Sequence, residues 1–548
     1  MLTKRGHSFL RANGAAASAR GVRVSSRALG VGSLLVCWVS FSLLAAGAAF
    51  AEAADDVAAQ LAKLSLRAKV GQVFMVTTGE PGLGPSTARF LSALRPGGVT
   101  LFGYHLRERG GLRARNAALR RAVPGVPPFV AIDQEGGPVS RLRTPELDVP
   151  GAATLGALRN AALASEIGAH VGQVLAAHGI DMNLAPVLDV PREGGGRYLA
   201  RRAFGASPAQ VTLVGRAYVS GLQEAGVAAV AKHFPGEGTS RGDPHRGFPR
   251  ATADRERLVK EDGRPFAASG ADAVMVGHVV FPALGEGPAS LQPAVYRLLR
   301  ELVGAEVVAM TDGLEMRSIR ARYGVEHAAV MALRAGADMV SVFWSPTRVL
   351  RARDAVLRAV ASGALPMARL DEAVTRVLRA KQRRGLLGTR ARRGAEVPMS
   401  QLAQAARRLW LRAGMSALMS SVRAARGSSA APLGEGTRVV SHAPAVLAAA
   451  GARGIDLRRQ AGRAAVRALA RGEHVIIAGA RGEDALVRRL VARGVQVVRV
   501  RSGMAPRSPL PAARASATTY FVGGRALVPG AVLALLGQGD RTLGARRE

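Results

Sequence analysis

The sequence predicts an α/β fold, a (β/α)8 TIM-like barrel followed by a smaller C-terminal α/β domain. Three observations predict it. Between Leu64 and Gly385, short apolar runs alternate with longer stretches of helical period; the runs number eight; and several end in an ionisable side chain. Eight such units fit a closed barrel better than an open doubly wound sheet, and barrels of this kind gather their chemistry at the C-terminal strand ends.

The runs, in order, are Val70–Val76, Gly98–Phe102, Pro128–Asp133, Ile180–Val190, Val227–His233, Asp272–Val276, Glu306–Asp312 and Asp338–Phe343. Helical segments such as 207–224, 254–269 and 371–384 separate them. Ser207 followed by Pro208 reads as an N-cap with proline at the first helical position. Asp133, Asp189, His233 and Asp312 stand at strand ends, and His278 lies just past the sixth run. Packing gives a core strand no reason to end in ionisable groups so often, so these residues mark one catalytic mouth.

At 548 residues the chain exceeds a single hydrophobic core. Residues 1–51 carry a basic stretch, an apolar run from Leu29 to Phe50 and the small-x-small site Ala49-Phe50-Ala51. That pattern predicts export, to the periplasm or outside the cell, as a cleaved signal peptide or as a membrane anchor formed by residues 29–50. Cys37, the sole cysteine, falls inside the run, so a cleaved chain has neither disulfides nor thiol chemistry. Residues 56–385 form the expected barrel, 386–436 a linker and helical region, and 437–548 a small α/β domain. The last has strand-like runs at 438–441, 474–478, 495–500 and 519–522. His442 and His474 lie there without catalytic neighbours and read as structural.

The net charge of +37 is carried almost entirely by arginine; only Lys4, Lys63, Lys69, Lys232, Lys260 and Lys381 are lysines. Such a balance reads as a compositional habit of the source genome, or as a match to an anionic cell-wall or membrane surface. Aromatic residues make up 4% and no basic, aromatic-interleaved module occurs, so no nucleic-acid partner is expected.

The most informative stretch is Lys232-His233-Phe234-Pro235-Gly236-Glu237-Gly238 with Asp243-Pro244-His245. A strand end runs into a Gly/Pro-rich loop carrying a cation, two histidines and an Asp two residues before the second. An Asp-x-His pair can hold an imidazole in one tautomer and raise its basicity, which suits acid/base work near neutral pH. A solvated loop with no such role is the alternative, which Lys232 weakens, because arginine fills nearly every other cationic position.

These residues resemble the Lys-His-Phe-Pro-Gly-x-Gly … Asp-x-His loop of family 3 glycoside hydrolases, in the β-N-acetylglucosaminidase branch. Val70-Gly71-Gln72-Val73-Phe74, Pro96-Gly97-Gly98-Val99, Ile132-Asp133-Gln134-Glu135-Gly136-Gly137 with Arg141, Leu184 to Val190, Phe204-Gly205, Pro288-Ala289-Ser290 and Thr311-Asp312-Gly313-Leu314-Glu315-Met316 resemble the family's other segments in order. The resemblance implies that Asp312 is the nucleophile of a retaining, exo-acting enzyme on terminal β-linked N-acetylglucosamine, in peptidoglycan-derived or related glycans. His245 is then the acid/base residue oriented by Asp243, and Asp133, Arg141, Arg202, Lys232 and His233 bind the sugar. No metal or other cofactor is implied. All matched residues precede Arg384, so the barrel alone is expected to hold the chemistry. The chain departs from the family pattern at Pro138, Arg201, Glu237 and Pro244. A β-glucosidase or β-xylosidase of the same family, or a catalytically impaired wall-binding barrel, are the competing readings.

Overall fold

Eight parallel strands close into a barrel in chain order: β1 (Phe74–Val76), β2 (Gly98–Leu101), β3 (Phe129–Ile132), β4 (Met182–Asn183), β5 (Ala228–Phe234), β6 (Ala273–Val276), β7 (Val308–Gly313) and β8 (Met339–Val342). The ring is completed by β1, which pairs with β2 on one side and β8 on the other, Phe74 lying against Val340. The computed structural model describes residues 56–106, 111–193, 195, 197–241, 248–388 and 397–424, and beyond them five short strands.

Each expected run overlaps its strand, β5 and β7 reaching one residue past theirs to Phe234 and Gly313, and the strands are buried on both faces. Met75, Phe129, Ala131, Val230, Met275 and Met310 fill the interior, while Phe74, Val76, Val130, Ile132 and Ala229 face the helices, as a period of two requires. Two runs are trimmed. Val70–Gln72 belongs to a helix, Leu66–Gln72, begun by Ser65, whose side chain accepts from the Ala68 N–H. Of the run 180–190, only Met182–Asn183 is strand. The helix expected over 207–224 spans Pro208–Glu224, with Ser207 accepting from the Gln210 N–H. The one expected over 254–269 starts at its Asp254 cap but breaks into Arg255–Arg257, a π turn at Leu258–Asp262, and Arg264–Ala267. Pro265 has no N–H to continue the ladder across that break.

The N-terminal rim follows a repeating rule. An aspartate immediately precedes β4, β6 and β8, and its carboxylate accepts the backbone N–H at the foot of the strand before: Asp181 from Val130, Asp272 from Ala229, Asp338 from Ala309. Helix arginines neutralise each: Arg120 on Asp181, Arg384 on Asp272, and Arg300, Arg369 and Arg376 on Asp338. Part of the arginine surplus therefore ties helices to the barrel floor.

A helix, Met399–Ala424, follows the barrel, and its Leu402, Ala406, Leu409 and Ala413 are buried in the barrel's outer core. Arg412 pairs with Glu166 of the helix Ala161–Ala177. The segment expected as a linker and helical region thus supplies core to the barrel. A five-stranded parallel sheet comprises β9 (Arg438–Ser441), β10 (Gly454–Asp456), β11 (His474–Ala478), β12 (Gln496–Ser502) and β13 (Ala517–Val522), in the order β10-β9-β11-β12-β13. Four of these strands were expected and β10 was not. The helical segments expected between them, His442 and the N-terminal export segment lie outside the described residues. Among the described residues, no helix is long and apolar enough to cross a membrane.

A chain ending after Ala424 should keep the parent's unfolding free energy for the barrel. One ending at Ala395 should lose about 3–6 kcal/mol, the burial of two leucines and neighbouring alanines. Denaturant unfolding of the two proteins checks this; equal stability would remove the 399–413 segment from the core.

Candidate active site

Two irregularities in the ladder place the chemistry. Between β5 and β6, Lys232 lies opposite Met275 and Phe234 opposite Val276, so His233 is an extra residue. Between β7 and β8, Met310 to Gly313 runs against Met339 to Ser341, which leaves one residue extra beside Asp312. Thr311 and Ser341 fill the gap, the Ser341 N–H donating to Thr311 Oγ1 and the Ser341 hydroxyl to the Thr311 carbonyl. A bulge breaks the in-out alternation and re-aims side chains. Here it lets consecutive residues Lys232 and His233 both serve the mouth.

Lys232 is buried and its ammonium sits 2.8 Å from Asp133 Oδ1 and 2.7 Å from Glu135 Oε1. Glu135, on a short hairpin of Gln134–Gly136 with Val139–Ser140, also takes both arms of Arg202 at 2.8 Å. Burial alone would raise the Glu135 carboxyl, but Lys232 and Arg202 outweigh it and bring it down to about 2. Burial disfavours the Lys232 charge too, yet Asp133 and Glu135 leave that ammonium above its ordinary value. The second oxygen of Asp133 is 4.0 Å from exposed Arg141. Asp133 and Arg141 thus keep hydrogen-bonding capacity facing the mouth, whereas Glu135 is saturated.

On the next arc His233 is buried, and Asp189 organises it. One Asp189 oxygen accepts from the His233 backbone N–H at 3.2 Å and meets Nδ1 at 2.8 Å; the other accepts the Glu237 N–H at 2.6 Å. The pairing fixes the proton on Nδ1. Burial works against protonation of His233, and Asp189, then Glu237, reverse this and raise it. The Glu237 carboxyl accepts from the Tyr198 hydroxyl at 2.6 Å. Its other oxygen fills the space of a side chain at Gly277, where a Cβ would approach within 2.1 Å. Burial pushes Glu237 up to about 7, opposed by His233 and assisted by Asp189 and Asp312.

Asp312, near the end of β7, accepts from the Gly313 N–H at 2.6 Å. Burial would raise it, but His278, His233, the Gly313 N–H and Lys232 hold it below the ordinary carboxylate range. His278 Nε2 is 3.0 Å from the Gly313 carbonyl, which can only accept, so that nitrogen carries the proton and Nδ1 accepts from Ser290 Oγ at 2.8 Å. Burial lowers the His278 imidazole, against the opposing pull of Asp312 and the Gly313 carbonyl. The arrangement presents an ionised carboxylate beside neutral and cationic donors, which suits attack on an electrophilic carbon flanked by hydroxyls.

The barrel thus brings together Asp133, Arg141, Arg202, Lys232, His233 and Asp312 around one mouth, while Asp243 and His245 lie outside the described residues. Sequence reasoning passed over Glu135 and Tyr198, and noted Asp189 only as a strand end. Glu135 binds Arg202 across 67 residues, and Tyr198 meets Glu237 across 39. Glu135→Gln should cost about 3–5 kcal/mol at neutral pH, because buried Lys232 and partly buried Arg202 lose their shared anion. The parent's advantage is complete above the ordinary carboxyl value of 4.5 and disappears as the pH falls through about 2. Unfolding of both proteins from pH 7 to pH 2 measures it; a gap that does not narrow on acidification would refute the ion cluster.

The family model described as "Glycosyl hydrolase family 3 N terminal domain" matches residues 65–380. A β-hexosaminidase of Tolumonas auensis is 36% identical over 251 residues, covering 44% of this chain and 74% of that protein. β-Hexosaminidase LpqI of Mycobacterium tuberculosis is 36% identical over 277 residues, covering 48% of this chain and 71% of that protein. Among solved structures, a glycoside hydrolase family 3 β-N-acetylglucosaminidase from a Paenibacillus strain superposes with a TM-score of 0.62 at 28% identity, over 87% of this chain and 97% of that one. A family 3 member from Mycobacterium smegmatis gives a TM-score of 0.54 at 32% identity, over 58% of this chain and 98% of that one. With the matched residues spanning a closed eight-stranded barrel, the chain belongs to glycoside hydrolase family 3 and is a glycosidase.

Proposed function

We propose that this protein is a retaining, exo-acting β-N-acetylglucosaminidase that removes terminal β-linked N-acetylglucosamine by double displacement. The observation that carries the reading is the state of Asp312: a carboxylate at a strand end, held ionised inside a buried mouth. Asp312 attacks the anomeric carbon and forms a glycosyl-enzyme, and water then releases the sugar with the configuration retained. Asp133 and Arg141 bind hydroxyls. Lys232 and His233 face the same mouth, with Arg202 contributing through Glu135 and the reach of its remaining donor. His245, oriented by Asp243, protonates the departing oxygen and later deprotonates the incoming water. The names of the similar proteins, β-hexosaminidases and β-N-acetylglucosaminidases, support the sugar. The net charge of +37 and the export pattern of residues 1–51 favour fragments of an anionic cell-wall polymer such as peptidoglycan as the source of that sugar.

Chromogenic β-N-acetylglucosaminide and β-glucoside substrates separate this reading from its rivals: the first alone should be cleaved. A β-glucosidase would prefer the second, and a wall-binding barrel would cleave neither. Asp312→Ala should lose activity on every substrate. His245→Ala should lose about 10²–10⁴ on a sugar leaving group, the contribution of a positioned acid. Its glycosylation by a nitrophenyl glycoside should suffer much less, since nitrophenolate departs unprotonated. Intermediate should then accumulate, and azide should speed turnover. Equal losses on both substrate classes without azide rescue would overturn the role of His245. Glu237, held near 7 beside Asp312, would become the proton carrier, and Glu237→Gln would then show the azide-rescued pattern.

A further inference from the structure

We propose that Trp344, backed by Phe102, forms a stacking platform for the leaving-group sugar, the residue beyond the scissile bond. This rests on the reading of Asp312 as the nucleophile. Trp344, two residues past the end of β8 on the C-terminal rim, is 59% exposed, an unusual position for the largest apolar side chain. Its backbone is left-handed at φ 66°, a conformation that side chains rarely adopt and that persists where surrounding structure enforces it.

The enforcement is visible on both sides of the residue. Before it, the Phe343 N–H donates to Glu315 Oε2, and Arg348 holds the other oxygen of that carboxylate at 3.1 Å. After it, the Ser345 N–H donates to the Phe343 carbonyl at 2.8 Å, while the Ser345 hydroxyl caps the helix Pro346–Ala361. The fold thus spends two anchored neighbours on keeping an indole in solvent. Its ring lies 4.6 Å from that of Phe102, which meets Phe343 edge-on at 5.4 Å. Phe343 in turn lies 3.4 Å from the position of a Cβ on Gly313, the residue after Asp312. The platform is therefore continuous with the nucleophile.

Its place on the ring selects the occupant. Asp133, Arg141, Lys232 and His233 occupy the arc after β3 to β5, where the hydroxyls of the cleaved sugar find partners. Trp344 and Phe102 follow β8 and β2, on the arc that runs from β7 through β1 round to β3, and present aromatic faces there. The C–H face of a pyranose carries slight positive charge and packs on the negative face of an aromatic ring. A sugar ring seated there would extend from the anomeric carbon that Asp312 attacks.

The test compares a β-linked N-acetylglucosamine disaccharide, which has a sugar leaving group, with β-N-acetylglucosaminyl fluoride, which has none. Trp344→Asn removes the ring and tolerates the left-handed backbone. It should lose about 3–10-fold in kcat/KM on the disaccharide, the worth of an aromatic face, against a much smaller loss on the fluoride. Trp344→Tyr should restore most of the disaccharide activity. Independently, titrating Asp312→Asn protein with the disaccharide should quench indole fluorescence, and the same titration with Trp344→Asn added should not. Equal losses on the two substrates, or no loss on either, would overturn the platform, as would an unquenched titration. A parent protein that cleaves neither substrate would instead overturn the reading of its activity.

Discussion

A lysine ammonium buried at the end of β5 cannot stay charged without anions at hand, and the mouth of the barrel is built around meeting that demand. Asp133 and Glu135 supply the anions, and Glu135 also receives Arg202. The end of β3, the hairpin after it, the segment following β4 and the end of β5 are thereby locked to one another. Removing Glu135, the anion shared by Lys232 and Arg202, strips charge balance from the cluster, which costs far more than losing a surface pair. The residues that face substrate are therefore positioned by groups that face only protein.

The two rims of the barrel use cations differently. On the floor, aspartates tie strand N–H groups to helix arginines, and one carboxylate, Asp338, collects three guanidinia. Planar forks suit that task because each can address several oxygens in fixed directions. At the mouth, a compact ammonium sits between carboxylates arriving from different directions, which a fork could not serve equally well. The rarity of lysine in this chain thus has a local counterpart: where it occurs at the site, its shape is used. Asp189 and Glu237 extend the same logic, one holding His233 by its ring and backbone N–H groups and the other raised by burial with Asp189 and Asp312 adding to the shift.

The barrel was legible in the sequence because parallel strands covered on both faces read as apolar runs, and each of the eight runs overlaps its strand. What was illegible is instructive. Val70–Gln72 reads as the start of the apolar run that continues to Val76, but Ser65 caps a helix whose last turn leads straight into β1. The three residues of β10, Gly454-Ile455-Asp456, carry no apolar run at all. In the site, Asp133, Lys232, His233 and Asp312 announced themselves by interrupting apolar strands with charge. Glu135 and Tyr198 did not, since an acid in a Gly-rich turn and a tyrosine in a loop are ordinary. Their roles arise only when folding sets them against Arg202 and Glu237. The Gly263-Arg264-Pro265 triplet was a readable signal for the break in the helix after Asp254.

The closure of the ring by β1 and β8 has a consequence in time. Seven of the eight strand pairings join neighbours along the chain and can form as each unit leaves the ribosome. The eighth sets Phe74–Val76 against Val340–Val342, so it waits for nearly the whole barrel to be made. Until then β1 presents an open, wholly apolar edge, and closing a loop of that length is slow compared with local pairing. Synthesis of this protein therefore passes through an incomplete barrel whose first strand is the exposed, association-prone one, and arrival of the last unit ends that exposure.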